Sequence, residues 1–317
     1  MSDVLVIGAG VCGLTSAICL AEAGLDVTVQ TASLPLDTTS VAAGAIWGPH
    51  LVEASERVDR WSRATLATLR ELAGQPATGI EIISGGEASR DQAGPPDWAD
   101  LATDFTPWPG AQLPAGFVTG WRYSAPVLDM PVYLGYLLDR FTGSGGEVRL
   151  GAVGSLTEAL SDCPVVVNCT GIGARTLVPD PDLQPVRGQA VIVANPGIEE
   201  FFIGAGGENG DLVYFFPHGG TVLLGGTEQH GNPSLDPDPE TTQTILAGCA
   251  AIEPRLAGAG ILAERVGLRP FRPQIRFGAE HLDDGRLLWH NYGHGGAGIT
   301  LSWACAHDIT EHLLHRT

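Results

Sequence analysis

Hydrophobic positions along this chain follow two rhythms, one of continuous apolar runs and one of helical spacing. Val4-Leu5-Val6-Ile7 is unbroken, as in a strand buried on both faces. Gly8-Ala9-Gly10-Val11-Cys12-Gly13 follows at once. Residues 14–23 then take helical spacing, with a stop at Gly24 and a second strand at Val27-Thr28-Val29. Strand, glycine turn, helix and strand within about 30 residues predict a dinucleotide-binding unit. In such a unit Gly8 permits the tight turn, Gly10 lets the backbone approach a pyrophosphate, and Gly13 lets helix and strand pack closely. Around Ala9 and Val11 the helix start offers N–H groups and a partial positive charge. The alternative is a structural glycine turn with no ligand.

Residues 41–50 are small and glycine-bearing. Residues 53–73 predict an amphipathic helix through Val58, Trp61, Leu66, Leu69 and Leu72. Residues 84–116 are rich in Gly, Pro and Asp and predict a loop on the surface of a second domain. A helix is expected over 131–141, a short strand over 147–150 and a buried strand over 164–169. After residue 183 the texture changes to short strands at 189–194, 212–216 and 221–225, separated by Gly and Pro, as in an antiparallel sheet. Residues 241–252 return to helix. Residues 266–276 are extended despite prolines at 270 and 273. A strand over 287–292 leads into Gly293-His294-Gly295-Gly296-Ala297-Gly298, and 299–314 closes the chain as a helix. No internal repeat is visible.

Parallel-type elements thus stand at the start, middle and end. The predicted class is α/β: a Rossmann-type nucleotide domain assembled from 1–52, 133–182 and 272–317. An antiparallel-sheet substrate domain is inserted as 53–132 and 183–271. Ligands commonly bind between such domains.

The 317 residues carry 36 acids against 17 bases, a net charge of −19. That field repels nucleic acid and anionic membranes, so neither is an expected partner. No apolar run is long enough to span a bilayer, and no signal peptide or peroxisomal address is apparent, so the cytoplasm is the expected compartment. The cysteines Cys12, Cys19, Cys163, Cys169, Cys249 and Cys305 form no CxxC pair and read as buried thiols. His290 and His294 straddle a strand end and a glycine loop rather than one helix face, so no metal is expected.

The cluster His294-Gly295-Gly296-Ala297-Gly298-Ile299-Thr300 precedes a helix, and its N–H groups can meet an anion. Two helix starts could grip one extended cofactor, with a pyrophosphate at the first and a ring that gains negative charge at the second; a flavin fits. With these segments go Thr38-Thr39-Ser40-Val41-Ala42-Ala43-Gly44, Val166-Val167-Asn168-Cys169-Thr170-Gly171 and Val186-Arg187-Gly188-Gln189. Further on come Tyr214-Phe215-Phe216-Pro217, Leu224-Gly225-Gly226, Gly267-Leu268-Arg269-Pro270-Phe271-Arg272-Pro273-Gln274-Ile275-Arg276 and His290-Asn291-Tyr292-Gly293-His294-Gly295-Gly296. In this order they resemble the D-amino-acid oxidase family of flavin amine oxidases.

The resemblance implies FAD as cofactor. Thr38, Thr39, Ala42, Ala43 and Gly44 would line its phosphates and ribityl chain, and Val153 its adenine. Gly295, Gly296, Ala297, Gly298, Ile299 and Thr300 would meet the flavin's pyrimidine edge. Arg269 would clamp the substrate carboxylate, a task suited to its bidentate fork. Tyr214 would share that carboxylate, and the carbonyl of Gly296 would accept the substrate amine. The expected partners are a D-amino acid and O2, and a homodimer is left open. The implied reaction moves a hydride from Cα to the flavin, and yields a 2-oxo acid, ammonia and hydrogen peroxide.

The chain departs from the family pattern in several places. Val29-Gln30-Thr31-Ala32 offers no acid for the adenosine ribose, leaving Thr31, Gln30 or backbone. Gly48 stands where glutamine is frequent, Ala297 where some relatives carry a larger residue, and no second tyrosine is evident near Gly210. Glu228 follows Gly225-Gly226-Thr227 where D-aspartate-preferring relatives carry arginine. Pointing inward it would repel an acidic side chain; pointing to solvent it would leave the pocket without a second cation. The inward case favours neutral or basic D-amino acids, and both cases place neutral D-amino acids above D-aspartate and D-glutamate. A glycine- or sarcosine-type oxidase and a D-aspartate-type oxidase are the near alternatives; a non-enzymatic binding module is the distant one.

Overall fold

β1 (Val4–Ile7) is buried at every position, as its apolar run requires. The structure, a computed structural model, describes residues 3–206 and 212–315. After β1 come α1 (Val11–Glu22) and β2 (Val27–Thr31). α2 (Glu56–Ala73) follows, then β3 (Ile80–Ser89), β4 (Thr103–Pro107) and β5 (Thr119–Leu128). The middle of the chain holds α3 (Met130–Gly143), β6 (Glu147–Leu150), α4 (Leu156–Asp162), β7 (Val165–Asn168) and the one-turn α5 (Ala174–Leu177). β8 (Gln184–Ala194), β9 (Phe201–Ala205), β10 (Val213–His218), β11 (Thr221–Gly225) and β12 (Gln229–His230) lead to α6 (Pro239–Ile252). β13 (Ile261–His281), β14 (Leu287–His294) and α7 (Gly298–Leu314) end the described chain.

The strands join in one sheet with two textures. One half runs β14-β7-β1-β2-β6 and is parallel throughout, with Val4 facing Val27 on one side and Val165 on the other. The other half runs β4-β5-β3-β9-β10-β11-β8-β13, antiparallel except between β3 and β9, and β12 pairs with β8. β13 is the seam. Its 21 residues pair with β8 as far as Phe271 and with β14 from Phe271 onward. The register shifts between Phe271 and Arg276, which is where Pro273 can sit without breaking a regular ladder.

α1 packs on α7, and α7 on α2. Their shared core includes Leu14, Ile18, Leu69, Tyr133, Phe141 and Trp303, all buried. Trp303 Nε1 donates to the Tyr133 hydroxyl at 2.8 Å, which satisfies both polar tips inside that core. α6 covers one face of the antiparallel half through Ile245 and Cys249 against Val191, Val193 and Phe215. The opposite face, with Tyr123, Phe201, Tyr214 and Phe216, looks toward a cavity. No helix among the described residues is long and apolar enough to cross a membrane.

The stretch 84–116, expected to be loop, instead holds the end of β3, all of β4 and a short 3-10 turn. Its glycines mislead. A Cβ on Gly85 would lie 2.4 Å from the Phe201 ring, and one on Gly86 would lie 2.0 Å from the Trp108 ring. These glycines are strand residues that leave room for aromatic rings crossing the sheet. β5, β9 and α4 also had no distinct sequence signal.

Candidate active site

The glycine turn after β1 is held as its sequence predicts. Gly8 has φ +105°, a region that strains other residues. A Cβ on Gly13 would stand 1.9 Å from the Gly8 carbonyl oxygen, so the close approach of α1 to the turn demands glycine. At the other end of the site Gly295 has φ +54° and its α-carbon faces the Leu51 carbonyl, where a Cβ would stand at 1.9 Å.

Both turns open on one cavity of about 760 Å³. Gly8, Ala9, Gly10, Val11, Thr38, Thr39, Ala42, Ala43, Gly44 and Val153 line it, with Gly295, Gly296, Gly298 and Ile299 farther along and Tyr214 and Arg269 beyond. Three expected residues are not on its wall. Gly13 acts by packing, as above. Ala297 is fully buried, and its N–H closes a turn on the His294 carbonyl at 2.9 Å. The Thr300 hydroxyl donates to the Gly48 carbonyl at 2.9 Å and accepts from the Gly48 N–H at 3.1 Å, so it pins the Trp47-Gly48-Pro49 loop to α7. Position Gly210 lies outside the described residues.

Two helix starts face this cavity without a side-chain cap, as α3 also begins, whereas three other helices are capped. Ser55, Ser155 and Asp238 cap α2, α4 and α6 with side-chain oxygens. α1 and α7 begin at Gly10 and Ala297 with no side-chain cap and no acid in the first turn. One α1 donor, the Val11 N–H, is met by Ser40 Oγ at 3.0 Å. Uncapped helix starts aimed into a cavity suit phosphate or a developing anion. His294, on the wall near α7, is pushed down to about 4 by burial and stays neutral. The positive field beside α7 is therefore that of the helix start. This donor set fits an extended anionic dinucleotide carrying a ring that gains charge.

No acid follows β2 directly. The cavity wall there is Thr31, Ala32 and Ser33, and Thr31 Oγ1 donates to the Ser33 carbonyl at 2.7 Å. Gln30 is not on the wall; its carbonyl accepts the Gly8 N–H. Asp37 reaches the wall from the following 3-10 turn, an acid that the strand-end pattern did not reveal.

At the far end the Arg269 guanidinium lies over Gly188, where a Cβ would come within 2.6 Å of Nη1. Nη1 donates to the Thr227 carbonyl at 2.9 Å. Among the described residues no carboxylate lies within ion-pair distance of Arg269, although most other arginines have such a partner. The Tyr214 ring stands against Gly225 and Gly226 on one side and Gly44 on the other. Burial pushes its hydroxyl above the usual range and Arg269 opposes this, so Tyr214 stays protonated as a donor. The His50 ring packs on Gly296, and its Nε2 lies 2.7 Å from Glu228 Oε1. The Glu228 carboxyl is not on the cavity wall, and the hydrogen bond from His50, with Arg269 also nearby, holds it below the usual range.

Sequence reasoning missed the sheet face across from Arg269: Glu87, Trp98, Tyr123, Ile203 and Leu212. Glu87 accepts a hydrogen bond from the Tyr123 hydroxyl at 2.8 Å, and burial raises its carboxyl above the ordinary value. Cys12 and Cys169 on the wall are raised far above neutrality by burial, the latter to about 12, so neither thiol is a poised base. Among the described residues no group of three His, Cys, Asp or Glu side chains could hold a metal.

The chain is similar to known proteins over nearly its whole length. The family model described as FAD dependent oxidoreductase matches residues 3–312. A D-amino-acid oxidase of Rubrobacter xylanophilus is 46% identical over 305 residues, covering 96% of this chain and 93% of that protein. A D-amino-acid oxidase of Streptomyces coelicolor is 44% identical over 312 residues, covering 98% and 96%. Among solved structures, glycine oxidase from Geobacillus kaustophilus superposes with a TM-score of 0.81 at 18% identity, covering 98% of this chain and 95% of that one, and so shares the fold. The uncapped helix starts, the glycine turns and these matches lead to one conclusion: the chain belongs to the FAD dependent oxidoreductase family and is an FAD-dependent enzyme.

Proposed function

We propose that this enzyme oxidatively deaminates D-amino acids to 2-oxo acids, ammonia and hydrogen peroxide. The observation that carries the proposal is Arg269, a guanidinium facing the cavity without a carboxylate partner, beside the protonated Tyr214. A ligand carboxylate completes that pair. The D-amino-acid oxidase activity of the two bacterial relatives supports the same reading.

Residues 1–52, 133–182 and 272–317 hold the cofactor, and 53–132 and 183–271 form the substrate side, with α2 buttressing α7. Gly8, Ala9, Gly10 and Val11 meet the pyrophosphate, with Gly13 setting the helix in place. Thr38, Thr39, Ala42, Ala43 and Gly44 line the phosphates and ribityl chain, and Val153 the adenine. Gly295, Gly296, Gly298 and Ile299 face the pyrimidine edge, with Ala297 and Thr300 shaping that turn. When bound there, FAD would supply a two-electron acceptor for the hydride of the substrate Cα, with O2 as the final oxidant.

Arg269 and Tyr214 hold the substrate carboxylate, and the Gly296 carbonyl accepts a hydrogen bond from the amine. No side chain needs to remove the Cα hydrogen as a proton, because it leaves as a hydride. The protein's contribution is orientation and charge compensation. With carboxylate, amine and Cα hydrogen fixed at three points, an L-isomer would present its side chain where the hydrogen belongs. We place the enzyme in the cytoplasm, as its sequence leads us to expect.

A peroxide assay across paired D- and L-amino acids, with glycine and sarcosine, tests the reading. D-isomers are expected to turn over and L-isomers to stay near background, with D-aspartate and D-glutamate below neutral residues. D-aspartate, glycine or sarcosine as the best substrate would refute it.

A further inference from the structure

Tyr214 on β10 is paired with Ile203 on β9, and Ile203 with Glu87 on β3. Directly paired residues share a face of the sheet, so these three side chains form one row across it. Two strand spacings of about 4.8 Å put Glu87 about 10 Å from Tyr214 along that row. All three line the same cavity. Glu87 Oε2 takes the Tyr123 hydroxyl, whereas among the described residues Oε1 has no hydrogen-bond partner. Trp98, Ile203 and Leu212 supply apolar wall between the two ends.

From these positions, resting on the reaction proposed above, we infer that Glu87 is the receptor for the substrate side chain and selects D-amino acids ending in a cation. The carboxylate end is held at Arg269 and Tyr214. A stem of three or four methylenes, as in lysine or arginine, runs along the apolar wall and delivers its charged head to Glu87. The charges around this path agree. Arg269 is committed to the substrate carboxylate. The other charged groups near the path are Glu87, His50 and Glu228, and the pair His50–Glu228 neutralises itself at 2.7 Å when the imidazole is protonated. Among the described residues no second arginine lines the cavity to receive an acidic side chain, and Glu87 repels one. A neutral side chain of equal length fills the groove but leaves the carboxyl unused.

The experiment uses the FAD-loaded enzyme with D-alanine, D-lysine and D-norleucine, the last matching lysine in length without its charge. D-lysine is expected to exceed D-norleucine in kcat/KM by at least about tenfold, one decade of affinity. In Glu87→Gln that ratio should fall about tenfold, and in Glu87→Leu it should invert. Tyr123→Phe, which keeps the packing and removes the hydrogen bond to Glu87, should shift the ratio less. A readout free of turnover comes from ε-aminocaproate and caproate, which carry the carboxylate without an oxidisable α-amine. Calorimetry should show ε-aminocaproate binding more tightly in wild type and the two binding alike in Glu87→Gln. Oxidation of D-alanine with D-norleucine equal to or above D-lysine would overturn the role of Glu87 alone. So would a ratio unmoved by Glu87→Gln. No oxidation of any D-amino acid would instead defeat the reaction on which the inference rests.

Discussion

Gly188 carries no side chain, and the guanidinium of Arg269 occupies the space above it. That seat, the Thr227 carbonyl and the tyrosine beside it fix a charged fork that, among the described residues, has no carboxylate within ion-pair distance. Losing a charge-assisted contact of this kind costs about 2–5 kcal/mol. Arg269→Ala is expected to keep the visible absorbance of bound flavin and lose turnover at low substrate by at least roughly thirtyfold, the lower end of that range. Initial-rate kinetics on the yellow variant check this, and wild-type kcat/KM would place the clamp elsewhere. Gly10 makes the complementary case for the cofactor. A Cβ there would lie 3.1 Å from Ser40 Oγ, on the side that faces Thr38. The two extra methyls of Gly10→Val would crowd that gap and hold a pyrophosphate off the helix start. The variant should purify folded by circular dichroism but colourless, and a full flavin complement would contradict the cradle.

Elements, more than single residues, set the direction of the Arg269 side chain. Three residues past it Arg272 Nε donates to Asp180 at 3.0 Å, and the Tyr292 hydroxyl of β14 donates to the same carboxyl at 2.8 Å. One acid thereby ties β13, β14 and the segment before β8 together. Burial pushes the Asp180 carboxyl up, but Tyr292 and Arg272 outweigh it and hold it below the usual range. A carboxyl with a depressed folded value stabilises fully above its unfolded value near pH 4 and loses that contribution as pH falls through the folded value. Asp180→Asn should therefore cost on the order of 3 kcal/mol at pH 7, because Arg272 loses its charged partner. The gap between variant and wild type in urea midpoint should narrow at pH 3; a constant gap would mean that charge is not the cause. At this scale the sequence was legible where structure is local. β1, α1, β6, β11 and α7 need glycine stops or continuous apolar runs that leave marks in the chain. β3 left a misleading mark, since Gly85 and Gly86 serve rings from Phe201 and Trp108 that only the folded sheet brings near.

Across the whole molecule, β13 welds a parallel nucleotide-type half to an antiparallel half, and the cavity runs along both. The glycine turns of the cofactor end were legible because backbone conformation constrains the residues that adopt it. Arg269 and Tyr214 were legible through the segments that surround them. Glu87 was not, because its place in the site depends on register between strands more than a hundred residues apart in the chain, with Tyr214 opposite Ile203 and Ile203 opposite Glu87. Glu228 was legible as a residue but not in orientation, which the contact with His50 decides. The net charge of −19 says nothing of the cavity, where Arg269 is the one arginine on the wall among the described residues. The central claim is that this end fixes a D-amino acid at three points. Peroxide release from D-alanine and L-alanine by the same FAD-loaded sample tests it most directly. Steady release with the D-isomer and none above background with the L-isomer is the predicted result; equal release from both, or release from the L-isomer alone, would contradict it.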